Sequence, residues 1–219
     1  MHNRIIYLIF LFSISSFSCV SRTDDIKNVL ENTIAKHYFL YEVNPLYFEE
    51  AEQINSLFLT VLKQKKTLDD KKKREYIEMA AKIAYYESIA ELEYVGYEDS
   101  PDERRIKMKY SIGNAIMALL SDYKQSMAHL QQAKEVLQKG SLLLDDKYAV
   151  VLLVELLIRY DNNKLNSNDV AITSNEVRAL KDIPAETRNE INMLLLRLKS
   201  NKRLTTKSAD MKNRPSDFS

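Results

Sequence analysis

The stretch KYAVVLLVELLIRY, residues 147–160, decides the fold class. Its middle is apolar on every side except at Glu155, and three of its residues are valines, so periodicity alone allows a buried strand or a buried helix. A strand needs a partner, and no second strand-like segment occurs in the 219 residues. The stretch therefore predicts a central buried helix, opened by Asp145-Asp146. A carboxyl inside such a helix would have its pKa raised unless paired, and Arg159, four residues on from Glu155, supplies the expected ion pair.

Composition points the same way. With only three glycines and four prolines, and Leu, Ala, Glu, Lys and Ile plentiful, the chain has few helix breakers and many helix formers. The expected fold is all-α, either an irregular helical bundle or a short array of antiparallel helix pairs.

Working outward, punctuation divides the chain. A first helix is expected over 24–41, and Asn44-Pro45 reads as the start of a second through Leu62. After the basic turn KQKKTLDDKKKR, residues 63–74, Asp69 or Asp70 can cap a third helix over 72–95. That helix carries two stripes, Tyr76, Ala80, Ile83 and Ala90 on one side and Ile77, Ala81, Ala84, Ser88 and Leu92 on the other, which predicts burial between neighbours. The core is expected to centre on residues 76–95 and 148–158.

SPDE, residues 100–103, combines a serine cap, proline at the first helical position and an acid in the first turn. Gly140 marks the next stop. A single helix between them would be about 58 Å long, so a turn is placed near Ser121-Asp122 to give two antiparallel helices. After residue 160 the sequence predicts an asparagine-rich loop over 161–172, a capping box at Thr173 and Glu176, and a last helix restarted by Pro184. Residues 204–219 are polar without apolar period and are expected to form a disordered tail.

The amino terminus has its own logic. One firm positive charge, Arg4, precedes an apolar run from Ile5 to Ile14, and Ser15, Ser16, Phe17 and Ser18 lead to Cys19, the only cysteine. A spanning helix needs about twenty apolar residues, so this run reads as a cleaved secretory signal over residues 1–18. Ordinary signal peptidase and a lipoprotein pathway would both cut before Cys19. The stretch resembles a bacterial lipobox in the looser form of spirochaete lipoproteins, with Ser16 where a leucine usually stands. That resemblance implies a diacylglyceryl thioether on Cys19 and attachment to a membrane. The lone thiol at the cleavage site favours lipidation over plain secretion, and one cysteine cannot form an intrachain disulfide. Residues 19–25 would then be the lipidated cysteine and a short tether, and residues 26–203 the helical domain.

A second resemblance lies within SIGNAI, residues 111–116, where Ile112-Gly113 resembles the leucine-glycine pair of tetratricopeptide repeats. Ala128 and Ala133 would be the small residues of the following helix. No second copy appears at a 34-residue period, so a helix-pair solenoid and an irregular bundle both remain open.

The chain carries a formal charge of +1 and lacks the basic excess of a nucleic-acid binder. His2, His37 and His129 show no metal-ligand spacing, and the sequence contains no GxSxG, phosphate-cradling glycine loop or cysteine nucleophile. The expectation is a binding protein rather than an enzyme, with no cofactor and no metal. Its expected partners are a membrane, through the lipid, and a protein in or against that membrane. The basic run 63–74 reads as a solvated turn or a contact for anionic head groups. Tyr85, Tyr86, Tyr94, Tyr97, Tyr110 and Tyr123 are candidates for a partner surface, since tyrosine is enriched at interfaces, or for interface packing between helices. A surface lipoprotein engaging host molecules and a periplasmic small-ligand-binding component are the alternative functions.

Overall fold

The computed structural model describes residues 22–38, 48–87, 101–140 and 142–200. These form eight α-helices: α1 Arg22–His37, α2 Phe48–Gln64, α3 Asp70–Ala81, α4 Pro101–Leu120, α5 Tyr123–Leu137, α6 Asp145–Asp161, α7 Ser167–Ala179 and α8 Ala185–Lys199. A π-helical turn, Lys82–Glu87, continues α3. No strand occurs among the described residues. The fold is all-α, as its composition predicts.

Side-chain pairs fix the direction of each helix. Asp161, at the end of α6, lies 3.8 Å from Lys27 near the start of α1 and 2.6 Å from Lys65 just past the end of α2. At the other end of α6, Lys147 Nζ donates to the carbonyl of His37 at 3.1 Å, so α1 runs antiparallel to α6. Arg159 pairs with Asp169 at 3.3 Å, and the Tyr148 hydroxyl donates to Glu176 at 3.4 Å, so α7 is antiparallel too. Glu50 near the start of α2 meets Lys109 at 2.5 Å, and Gly113 approaches Ala80 late in α3 and Ala84 in the π turn. Lys65, Lys66 and Lys73 line one cleft with Leu119, Leu120 and Ser121, which makes α2 parallel and α3 antiparallel to α4. The described helices therefore alternate in direction along the chain. One end of the bundle gathers the start of α1, the α2–α3 turn, the α4–α5 turn, the α6–α7 turn and the end of α8.

Helix boundaries follow local chemistry. Asp69 and Asp122 accept from the first-turn N–H groups of α3 and α5. Ser121-Asp122 is the turn expected from length alone, and Gly140, at φ 81°, is the stop expected after α5. Four expectations are corrected. Helix α1 begins at Arg22 rather than Asp24 and ends at His37 rather than residue 41. The loop after α6 is shorter than 161–172, because Asn166 and Asp169 form the capping box and start α7 seven residues before Thr173, which is buried inside the helix. The third helix changes to a π turn at Lys82. The core is also wider than expected. Ala149–Val154 and Leu156–Ile158 of α6 are buried, but so is α4 from Ile106 to Leu119, which the expected centre left out. The Asn44-Pro45 start, residues 88–95 of the third helix, and residues 204–219 lie outside the described residues.

Burial of α4 requires its charges to be neutralised in place. Lys107, fully buried, pairs with Glu103 at 2.7 Å, donates to the Leu142 carbonyl at 2.7 Å and also reaches the carbonyl of Lys139. It thereby satisfies the carbonyls of the α5–α6 connection, a role that four-residue spacing on α4 alone does not reveal.

Candidate interaction surface

Helices α2 and α3 leave a groove of about 710 Å³ between them, lined by Glu49, Glu52, Gln53, Ser56, Leu57, Thr60, Tyr76 and Met79. Its volume is in the range of roughly 300–1,000 Å³ seen for binding clefts. The floor is set by Leu57, buried at 8 % exposure, and by the half-buried ring of Tyr76. Met79 stands half out of the wall at 50 % exposure, a flexible thioether suited to an adaptable contact. The charged lining residues are Glu49 and Glu52, both acids and both exposed. The surface thus combines apolar contact with negative charge. It fits a segment that offers apolar side chains flanked by lysine or arginine.

Local sequence explains the shape. Buried Ala51, Ile54, Phe58, Val61 and Leu62 turn α2 inward, leaving Glu49, Glu52, Gln53, Ser56 and Thr60 on its outer side. On α3, Ala80 is fully buried toward α4, and Met79 beside it points out. The position of Met79, at the outer edge of the Tyr76, Ala80 and Ile83 stripe, is the signal in the sequence for this groove.

Of the tyrosines expected at a partner surface, Tyr85, Tyr110 and Tyr123 have described side chains, and each makes contacts within the molecule. Tyr110 is buried at 8 % exposure and meets Tyr85 edge-on, with centroids 5.9 Å apart. Tyr110 is therefore not available to a partner. The Tyr85 hydroxyl donates to Gln132 Oε1 at 2.6 Å and lies 3.2 Å from Asn114 Oδ1, where the His129 Nδ1 also arrives at 3.2 Å. Asn114 is fully buried and donates in turn to the Tyr110 carbonyl. Burial raises the pKa of the Tyr85 and Tyr110 hydroxyls and lowers that of the His129 imidazole, which favours the neutral form of each. Tyr123 is half-buried, with Lys164 Nζ 3.6 Å from its ring centroid and Arg159 donating to its hydroxyl. Tyr86 lies in the π turn, and Tyr94 and Tyr97 lie outside the described residues. The tyrosine on the groove is Tyr76, which the sequence reading assigned to the core.

Other candidate groups have structural partners. Glu155 binds Lys134 at 3.0 Å and Arg159 at 2.7 Å. Burial acts to raise its pKa, but these two cations outweigh it and hold the carboxyl below its usual range. His37 Nε2 lies 2.5 Å from Glu190, tying α1 to α8. Among the described residues no group of His, Cys, Asp and Glu is placed to hold a metal ion, and no described helix is long and apolar enough to cross a membrane. Ala133 is buried as a repeat-like small residue would be, whereas Ala128 is exposed. Comparison with known proteins finds no matching family model, no matching curated protein and no matching solved structure.

Proposed function

We propose that this chain is an exported, lipid-anchored helical module that holds a protein partner of the cell envelope along the α2–α3 groove. The observation that carries the reading is the groove itself: a half-exposed methionine, a tyrosine ring and Leu57 set among Gln53, Ser56 and Thr60, flanked by Glu49 and Glu52. The expected partner segment is basic and amphipathic, because like charge against Glu49 and Glu52 would be repelled. The lone cysteine at the end of the apolar leader supports the anchor, and attachment there would confine the module to partners in or against its own membrane.

A photo-crosslinker placed at Met79 tests the reading in intact cells. A protein adduct that is lost when Glu49 and Glu52 are changed to lysine supports it. If no adduct forms and a small molecule instead copurifies and raises the melting temperature with concentration, the ligand-binding alternative replaces it. Cys19→Ala tests the anchor separately, since labelled palmitate should enter the wild type and not the variant. Removal of the protein by protease added outside intact cells would favour the host-facing alternative.

A further inference from the structure

The end of the bundle where the described chain begins is also its basic end. Within residues 63–75 fall seven of the 32 cations and three of the 31 acids, so the remainder of the chain carries three more acids than cations. The alternation of helices puts this stretch, the α2–α3 turn, beside the start of α1. Lys27 of α1 and Lys65 and Lys66 of the turn all converge on Asp161, at 3.8, 2.6 and 3.5 Å. Arg22 precedes Lys27 by five residues, about 7.5 Å of helix. Cys19 precedes Arg22 by three residues, at most about 11 Å of chain.

The first turn of α1 also carries Asp24 and Asp25, which balance Arg22 and Lys27. The acids with described side chains at this end are largely turned to internal work. Asp69 and Asp122 cap α3 and α5. Asp161 is only 12 % exposed, and its three lysines outweigh its own burial and hold its carboxyl below the usual range. Lys65, with its side chain only 9 % exposed and 2.6 Å from Asp161, is committed to this internal pair. Lys63, Lys66, Lys71, Lys72 and Arg74 remain exposed, with Asp69 and Asp70 as exposed counter-charges and Glu75 paired with Lys72 at 3.1 Å. Across the same end, Lys164 and Lys199 are exposed as well.

We propose that this end rests on an anionic lipid surface, with the exposed lysines of the α2–α3 turn and the first turns of α3 against the head groups. The location decides for a lipid rather than a soluble anion, because the covalent path from Cys19 delivers this end, and not the opposite one, to a bilayer holding an acyl chain. A lipid chain and a basic patch together give a stable and oriented attachment. The groove of α2 and α3 would then open on the flank, away from the bilayer. The proposal deepens the anchor reading but can fail separately from it, since the charge asymmetry exists without the lipid.

The test is flotation of the unlipidated chain from Val20 onward, which holds every described residue, with vesicles of phosphatidylcholine alone or with about one-third phosphatidylglycerol. Binding is expected only to the anionic vesicles and should vanish at high salt. K66E/K71E should weaken partitioning by well over tenfold, at about fivefold for each lysine lost. The charge-matched K139E/K181E, at the opposite end, should leave it within a few fold. Melting curves confirm that both variants are folded. No binding to anionic vesicles, equal binding to neutral ones, or equal loss in both variants would overturn the proposal. Absence of palmitate on Cys19 would sink the anchor reading and leave this result standing.

Discussion

Glu103 and Lys107 face each other at 2.7 Å one turn apart on α4, and both side chains are fully buried. The pair is embedded in the tertiary structure, because the same ammonium also holds the carbonyls of the α5–α6 connection. Lys107→Met should therefore cost about 3–5 kcal/mol, the range for breaking a buried pair from one side. Replacing both members, as E103Q/K107M, should cost less than Lys107→Met alone. Denaturant melts of the two variants measure this.

Gly113 is where α4 comes closest to α3. A Cβ there would meet the Ala80 carbonyl oxygen at 2.6 Å and the Ala84 Cβ at 2.8 Å. Alanine is normally the better helix former by about 1 kcal/mol. Here the clash should win, and Gly113→Ala should lower stability by about 1–3 kcal/mol. An unchanged or raised melting temperature would show that the two helices separate at little cost.

Acid should unfold the protein partly through Glu155 and Asp161. Both pKa values are lowered in the folded state from their ordinary values of 4.5 and 3.8. Their stabilisation is present above those values and is lost as pH falls through the lower folded ones. The melting temperature should drop between about pH 5 and pH 3, and Glu155→Gln should flatten that drop. A variant that loses stability equally at pH 7 and pH 3 would argue against the linkage.

Leu153 is fully buried in the middle of α6. Leu153→Asp would place a carboxylate there without a designed partner, at a cost of several kcal/mol. Loss of the cooperative thermal transition, followed by circular dichroism, is the expected outcome.

Asn166 carries the capping box of α7, accepting from Asn168 and Asp169 N–H groups at 2.9 and 3.1 Å. Asn166→Ala should cost about 1 kcal/mol, whereas Thr173→Ala should leave the start of α7 unchanged. Hydrogen exchange in residues 167–170 distinguishes the two.

The parts of the fold legible in the sequence depend on near neighbours. The 147–160 stretch is a helix because it is apolar all round, and its Glu155–Arg159 pair follows from four-residue spacing. The proline after Ser100, the Ser121-Asp122 turn and Gly140 act through one or two residues of backbone, so they too could be read directly. The Asn166 box was missed because an asparagine-rich stretch offers several equivalent caps, and the sequence alone does not choose among them.

The tertiary structure decided the burial of α4 and the location of the groove. Glu103, Lys107 and Lys109 look like solvated charges until Glu50 and the Leu142 carbonyl, far away in sequence, are brought to the two lysines. Tyr85 and Tyr110 look like contact tyrosines until Gln132 and Asn114 accept from the Tyr85 hydroxyl and the Tyr110 ring packs against Tyr85. Helix type, caps and turns were determined by the sequence itself, through contacts that span a turn or less of chain. Which charged and aromatic residues face water was decided only by packing, because the cost of burying a polar group depends on partners that local sequence does not specify.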